Sequence, residues 1–180
     1  MDYIYIPVQL DEIILINNII SDEERERLIE VSKPLLVSGA ELGRMYGGAD
    51  YPGNQTLSNL HHNPEFDYLH KEMLKCIKKE SGMDLEIVKS WVNWTDGNKK
   101  DINWHLHHCT YACVYYMKTN PFLTSGTLFD LVINKRKRKK FVKGSQNSLM
   151  LFPGHVLHTA PSSFLRRDRY TLACNLEFKE

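Results

Sequence analysis

The order of patterns along this chain predicts a mainly β fold with supporting α-helices: a double-stranded β-helix (a cupin-like jelly roll) with N-terminal helices packed on one sheet. Two stretches with helical spacing come before Gly82. About eight short segments of strand-like character follow them to the end of the sequence. Helices followed by a run of strands are typical of antiparallel sheets that carry helices on one face.

Size and composition indicate one domain. At 180 residues and 42% hydrophobic content, the chain can bury one substantial core. We expect a single domain over 1–180, in which 1–84 supplies helical support and a lid and 85–180 forms the β-helix core. The formal net charge of +1 favours no class of partner. Because no apolar run approaches the ~20 residues of a membrane span and no basic leader region is present, we expect a cytoplasmic protein that does not enter a membrane.

The first helix has a clear start signal. Tyr3–Val8 and Ile13–Ile16 are rich in β-forming residues and predict strands before it. Ser21 and Glu24 have the spacing of a capping box, in which the serine side chain caps the first turn. This signal predicts a helix over 22–32 that ends before the next proline.

A glycine-rich segment and a second helix come next. Residues 39–53 contain five glycines together with Tyr46 and Tyr51, which predicts a loop. The loop is either a solvated connection or a lid over a site. The second helix is predicted to open at Asn63–Pro64 and to end at Gly82. Its core-facing stripe consists of Phe66, Leu69, Met73 and Ile77.

After Gly82 the pattern is that of strands. The segment after the second helix alternates, and a turn is expected at residues 95–98. The predicted strands are Leu85–Trp94, Ile102–His108, Tyr111–Met117, Gly126–Ile133, Phe141–Val142, Ser148–Phe152, His155–His158 and Arg169–Phe178.

Three histidines in this β-rich part predict a mononuclear metal site, with iron favoured. Side chains two apart on a strand point to the same face, so His105 and His107 can enter one cavity while Leu106 packs the other way. His158 follows 51 residues after the pair, at the end of another apolar run. Two near ligands and one far ligand can hold a divalent metal and leave positions open for substrates. With eight histidines in the chain, a structural or exposed His-x-His pair is the plain alternative.

A second group of residues is suited to bind a carboxylate. Arg169 and Thr171 share a strand face, and a guanidinium beside a hydroxyl can hold a carboxylate firmly. Tyr116 is expected to donate a further hydrogen bond from across the barrel. A metal next to such a clamp fits a 2-oxo acid that is chelated at one end and anchored at the other.

The motifs of the C-terminal half occur in a familiar order. They are Ser90-Trp91-Val92-Asn93, His105-x-His107, Cys113-Val114-Tyr115-Tyr116-Met117, Leu151-Phe152-Pro153 with His158, and Arg169-Tyr170-Thr171. Through these motifs the region 91–178, about half the chain, resembles the 2-oxoglutarate- and Fe(II)-dependent oxygenases. It is most similar to small oxygenases of bacteriophages and bacteria and, more distantly, to prolyl hydroxylases.

The resemblance implies roles for individual residues. His105, His107 and His158 would bind Fe(II), and Arg169, helped by Tyr116 and Thr171, would bind 2-oxoglutarate. The implied reaction is the O2-dependent hydroxylation of a C–H bond in a small-molecule or peptidyl substrate, with release of succinate and CO2. The chain departs from the common pattern at His107, where most members have Asp or Glu. A neutral imidazole leaves the iron site one positive charge higher, which is expected to weaken iron retention.

Two other enzyme classes are compatible with part of this pattern. One is a cupin-type dioxygenase that uses His-x-His and a glutamate, which is disfavoured because no Glu follows His107 within several residues. A three-histidine zinc lyase or hydrolase would use zinc to lower the pKa of bound water to about 7. That class leaves Arg169 and Tyr116 without a role. Cys109 continues the His-x-His spacing, but the bend expected after it carries its thiol away from the metal. His108 and His155 are expected to lie outside the ligand set. The four cysteines form no CxxC pair and are expected to be reduced: Cys76, Cys109, Cys113 and Cys174.

A non-catalytic interaction module is the third interpretation. Residues 135–140 are all Lys or Arg, and the remaining 17 basic residues face 22 acidic ones. Such a basic run can attract phosphate backbones. A solvated hairpin tip is the favoured explanation, and nucleic acid is an unfavoured partner, because no base-stacking aromatics interleave the run.

Overall fold

The computed structural model describes residues 12–46, 53–95, 103–119, 125–133, 136–161 and 168–180. The helices in these ranges are α1 (Asp22–Ser32), α2 (Gly39–Tyr46) and α3 (Asp67–Ser81), with three-residue 3-10 turns at Lys33–Leu35, Leu60–His62 and Pro64–Phe66. The strands are β1 (Ile14–Asn17), β2 (Val37–Ser38), β3 (Asn54–Gln55), β4 (Leu85–Thr95), β5 (Tyr111–Lys118), β6 (Gly126–Ile133), β7 (Arg136–Lys143), β8 (Ser148–Pro153), β9 (His158–Thr159) and β10 (Arg169–Phe178).

The strands form two antiparallel sheets. The large sheet has seven strands in the order β1-β8-β5-β10-β4-β3-β2, and the small sheet has three in the order β7-β6-β9. Residues of both sheets meet in one apolar cluster between them, which is lined by Tyr116 and Phe152 from the large sheet and Phe129 and Leu131 from the small one. The mainly β architecture with helices packed on one sheet is therefore as predicted.

The other face of the large sheet packs against the helices. This helix-side core is mostly aliphatic. Burying each of its large apolar side chains removes apolar surface from water and contributes about 1.5–3 kcal/mol of stability. Its helical members include Leu28, Ile29, Leu69, Met73 and Ile77, and its strand members include Tyr115, Met117, Leu149, Leu151, Leu172 and Leu176.

The start of α1 and the end of α3 lie where the sequence predicts, whereas Asn63–Pro64 opens a 3-10 turn and α3 begins only at Asp67. The Ser21 side chain accepts a hydrogen bond from the Glu24 backbone N–H and caps α1, an interaction worth about 1 kcal/mol. The Glu24 carboxylate pairs with Arg27. At the other end of the helical region, α3 stops at Gly82, whose φ of 75° places it in the left-handed region that glycine adopts without strain. None of the helices among the described residues combines the length and apolar character needed to cross a membrane.

Three sequence predictions are wrong in their details. Residues 39–46 form α2 and not a loop. Residues 103–108 contain no continuous strand, only a single bridge at His105. The basic residues 136–140 lie within β7, an edge strand, and not at a hairpin tip. The predicted strand at 3–8, most of the turn at 95–98 and the rest of the glycine-rich segment up to residue 52 lie outside the described residues.

Candidate metal centre

Two of the three predicted metal ligands face each other across a short antiparallel pair. The backbone N–H of His105 donates to the carbonyl of His158 at 3.0 Å, and the N–H of His158 donates to the carbonyl of His105 at 2.9 Å. Residues that exchange both hydrogen bonds in this way project their side chains to the same face. The His105 and His158 ring centroids are accordingly 4.3 Å apart.

His107 is brought to the same place by the turn that precedes β9. Its backbone N–H donates to the Gly154 carbonyl at 2.8 Å, and the Gly154 N–H donates to the Thr110 carbonyl at 3.0 Å. This close approach requires glycine, because a Cβ at residue 154 would lie 2.1 Å from the Cys109 carbonyl oxygen. The His107 ring lies 5.3 Å from the His105 ring and 5.2 Å from the His158 ring, centroid to centroid.

The three rings present nitrogen atoms in the form that binds metals. One ligand atom from each of His105, His107 and His158 lies within 4.8 Å of the others. Nδ1 of His105 lies 2.8 Å from the Asn103 carbonyl, and Nδ1 of His158 lies 2.8 Å from the Val156 carbonyl. A carbonyl can only accept, so it fixes the tautomer with hydrogen on Nδ1 and leaves the Nε2 lone pair for a metal.

Burial keeps these imidazoles neutral. Desolvation lowers the pKa of His105, lowers that of His107 to about 4, and holds that of His158 well below its ordinary value. The neighbouring rings add to the effect, because two protonated imidazoles repel each other. Neutral imidazole is the protonation state that coordinates a cation.

The predicted clamp contains a buried guanidinium without a carboxylate. Arg169 lies at the start of β10, and burial lowers the pKa of its guanidinium. Its Nη2 donates to the Gly126 carbonyl at 3.3 Å, and its buried Nε has no partner. Among the described residues no carboxylate forms an ion pair with it. A buried cation without a counterion is costly, so this position is suited to an anionic ligand.

Tyr116 and Thr171 lie beside Arg169, although not as predicted. Tyr116 is on β5, the direct neighbour of β10, and is paired with Thr171 in register. It therefore flanks the clamp within one sheet and does not reach it from across the barrel. The Arg169 guanidinium carbon lies 5.7 Å from the Tyr116 ring centroid, and the Tyr116 hydroxyl is 2.8 Å from Thr127 Oγ1 on the small sheet.

One apolar wall joins the histidines to the clamp. Phe152 lies 4.7 Å from the His158 ring, centroid to centroid, and belongs to the same buried cluster as Tyr116. This wall lies between the two sheets. The candidate metal ligands and Arg169 therefore both border the same apolar cluster.

Sequence reasoning missed three neighbours of these groups. The Asn175 side chain faces His107 and favours its protonated form, and the Trp91 ring lies 5.8 Å from the His107 ring. Asn175 could have been predicted from the sequence, because it continues the alternation of Arg169 and Thr171 along β10. Thr127 carried no local signal, since its contact with Tyr116 joins two sheets.

The remaining candidates lie outside the cluster. His108 and His155 are exposed. The Cys109 thiol donates to the Tyr111 carbonyl at 3.0 Å. It does not belong to the group of potential ligands formed by the described residues. The four cysteines are free thiols.

Comparison with known proteins identifies the fold. The sequence matches no protein-family model and none of the curated proteins. Similar solved structures include a Pseudomonas putida prolyl-4-hydroxylase, with a TM-score of 0.67 at 13% identity over 94% of each chain. HygX from Streptomyces hygroscopicus, with nickel and 2-oxoglutarate bound, has a TM-score of 0.65 at 12% identity over 92% of this chain and 82% of that chain.

A third structure shows that the same fold carries different reactions. The α-ketoglutarate-dependent epimerase SnoN from nogalamycin biosynthesis has a TM-score of 0.69 at 9% identity over 92% of this chain and 78% of that chain. The resemblance stated from the sequence is thus confirmed at the level of the fold. This chain has the double-stranded β-helix fold of the 2-oxoglutarate-dependent oxygenases.

Proposed function

We propose that this protein, as a single domain over 1–180, is a cytoplasmic Fe(II)- and 2-oxoglutarate-dependent oxygenase that hydroxylates a C–H bond. One observation carries the proposal: three neutral imidazoles with ligand atoms within 4.8 Å share an interior with a buried guanidinium that lacks a carboxylate partner. The fold agrees with it, since similar structures are oxygenases and one holds 2-oxoglutarate with a metal. The substrate is a small molecule or a peptidyl residue.

His105, His107 and His158 would hold the metal ion. The carbonyls of Asn103 and Val156 orient two of the rings so that Nε2 faces inward, which fits a resident divalent cation. Three neutral ligands add no negative charge, so the ion retains its full charge and is held less firmly than by a set that includes a carboxylate. Nickel bound in a structural relative shows that this fold accepts a divalent transition metal.

Arg169 would anchor the distal carboxylate of 2-oxoglutarate. Its unpartnered Nε and its Nη2 offer charge-assisted hydrogen bonds, and the carboxylate would supply the missing counterion. The Thr171 hydroxyl and Tyr116 would complete the anion site from the same sheet. Tyr116, which contacts Arg169, belongs to the same apolar cluster as Phe129 and Phe152, whose rings lie beside His158.

When bound, iron with 2-oxoglutarate supplies the activation of O2 needed to oxidise an unactivated C–H bond, with release of succinate and CO2. The chain's own residues position the two co-substrates and keep the interior dry. A three-histidine zinc hydrolase uses the imidazoles but gives the buried Arg169 no anionic partner, so the oxygenase explains more of the site.

Anaerobic titration of the protein with Fe(II) and 2-oxoglutarate tests the proposal. Chelation of the keto acid to the ferrous ion gives a weak visible charge-transfer band, and we expect this band with the native protein. In an Arg169→Gln variant the dissociation constant of 2-oxoglutarate should rise by about 30-fold or more, since one partner of a buried charged pair is lost. Absence of the band with native protein, or an unchanged affinity in the variant, contradicts the proposal.

Arg25 offers a matched control. It is a buried arginine whose guanidinium is satisfied by the Met117 carbonyl and by Asp22 on the helix side of the sheet. An Arg25→Gln variant should lose stability and keep its affinity for 2-oxoglutarate. If the Arg169 variant instead lost stability and kept its affinity for 2-oxoglutarate, Arg169 would have a structural role.

A further inference from the structure

Strand β7 presents a continuous row of cations at the free edge of the small sheet. The side chains of residues 136–140 are all exposed, and β7 is the outer strand in the order β7-β6-β9. Alternation along the strand places Arg136, Arg138 and Lys140 on one face and Lys137 and Lys139 on the other. The rest of the chain is acidic, with 17 basic against 22 acidic residues outside 135–140. The charge is therefore local to one edge.

This edge runs beside the candidate metal centre. Lys140 pairs with Phe129 and Phe129 pairs with His158, so the three residues form one row across the small sheet. At about 4.8 Å between neighbouring strands, the Lys140 backbone lies about 10 Å from that of His158. A polymer bound along β7 would thus pass close to the imidazole cluster.

The fold also supplies an aromatic surface that the basic run itself lacks. The Nζ atom of Lys139 lies 5.1 Å from the centroid of the Trp104 ring, and Trp104 immediately precedes His105. Trp104 is 37% exposed, so part of its ring is open to solvent. An exposed indole beside a row of cations is the pairing that binds single-stranded nucleic acid, through stacking of bases and contacts to phosphates.

We propose that β7 and Trp104 form a docking surface for single-stranded nucleic acid. Phosphates would lie against the cations of residues 136–140, and a base would stack on the Trp104 ring. Trp104 lies with Lys139 on one face of β7, where Asp130 opposite Lys139 moderates the charge. Arg138 and Lys140 lie on the other face, so a bound strand would cross the free edge of β7 to reach both. Lysines on an edge strand oppose the addition of a further strand, which disfavours a peptide that would extend the sheet. The surface goes beyond the proposed oxygenase activity.

The test is fluorescence anisotropy with a labelled oligothymidylate of about 15 nucleotides, a length that covers common single-strand site sizes. It uses the full chain without metal or 2-oxoglutarate, so failure of the oxygenase proposal does not affect it. We expect saturable binding that weakens as salt rises. In an Arg138→Gln/Lys140→Gln variant, the slope of log affinity against log salt should fall by about 1.4, because two phosphate contacts are lost. A Lys71→Gln/Lys75→Gln variant, with the same charge change on α3, should bind like the native protein.

The aromatic contribution needs its own variants. Trp104→Ala should weaken binding by about 5- to 100-fold, and Trp104→Phe, which retains a ring, should bind nearly as the native protein does. Four results overturn the proposal: no binding at low salt, equal loss in the α3 control, equal competition by a DNA duplex of the same length, or equal competition by polyglutamate. Equal competition by the duplex would mean that binding does not depend on base stacking. Equal competition by polyglutamate would indicate an acidic protein partner.

Discussion

Arginine, tyrosine and histidine side chains occur on both faces of the large sheet, but in different surroundings. On the helix side, Arg25 donates to the Met117 carbonyl and pairs with Asp22. On the interior side, Arg169 has a buried Nε with no partner. The first arginine is satisfied by the protein and stabilises it. Under the proposed function, the second would bind the carboxylate of the co-substrate.

Adjacent tyrosines on β5 repeat the contrast. Tyr115 faces the helices, and its hydroxyl donates to Asn147 Oδ1 at 2.8 Å. Asn147 Oδ1 also accepts from the backbone N–H groups of Ile19 and Ile20, so this network ties the segment between β1 and α1 to the sheet. Tyr116 faces the interior next to Arg169. The alternation of β5 thus places two consecutive tyrosines on opposite faces of the sheet, and only the second lies beside the proposed anion site.

The histidines sharpen the comparison. His70 on α3 is buried on the helix side, and its Nε2 has no partner. His158 is buried in the interior, where two further imidazoles lie within reach of the same ion. Clustering, and not burial or a shifted pKa, distinguishes the candidate ligand from the core histidine.

Removal of one candidate ligand should have the largest effect. A His158→Ala variant should lose more than about 100-fold in affinity for Mn(II) or Fe(II), beyond the 10- to 100-fold typical of a residue that only supports a ligand. Product formation should fall below detection. His70→Ala, matched in residue type and burial, should lose stability but bind metal normally. Anaerobic calorimetric titration measures the metal affinity of both variants. An unchanged metal affinity in the His158 variant contradicts the assignment.

The burial of His70 should lower the stability of the folded protein at acidic pH. Desolvation, aided by His61, lowers the pKa of His70 to about 4 in the folded protein, against about 6.5 when unfolded. Between these values the unfolded chain binds a proton that the folded chain does not. Stability therefore falls as pH drops below 6.5, by about 3 kcal/mol when the decline is complete near pH 4.

A His70→Phe variant isolates this contribution. Its free energy of unfolding in urea should decline less than that of the native protein between pH 7 and 4, by about the same 3 kcal/mol. His62→Gln, a change at an exposed histidine, serves as the control and should follow the native curve. Parallel curves for the native protein and the His70 variant would show that His70 becomes protonated without cost.

Local signals explain what the sequence predicted well. Ser21 and Gly82 mark helix ends through contacts within a few residues, so the bounds of α1 and the end of α3 agree with the prediction. Alternating strands such as β6 and β10 were also recognised within a residue or two. The three histidines were found because their residue type and spacing carry the chemistry.

Non-local pairing explains what it missed. Residues 136–140 carry only charged side chains, and their strand conformation comes from hydrogen bonds to β6. The backbone hydrogen bonds of His105 and His107 go to His158 in β9 and to Gly154 in the turn before it, so the ligand pair is held by a distant segment and not by a strand of its own. Tyr116 was expected opposite the clamp because strand order cannot be read from one strand. The stacking surface at Trp104 arises from a contact between segments more than 30 residues apart.

The smallest expected effect is also the most direct test of the two faces. Tyr115→Phe and Tyr116→Phe each remove one buried hydroxyl, from Asn147 and Thr127 respectively, and each should cost about 1 kcal/mol of stability. Only the second change lies beside Arg169. We therefore expect the dissociation constant of 2-oxoglutarate to rise about 3- to 10-fold in Tyr116→Phe and to stay unchanged in Tyr115→Phe. Because urea unfolding supplies the matched stability loss, a difference in affinity can come only from which face the hydroxyl occupies. Equal affinities would confine the anion site to Arg169 and Thr171 and reduce Tyr116 to a packing residue between the sheets.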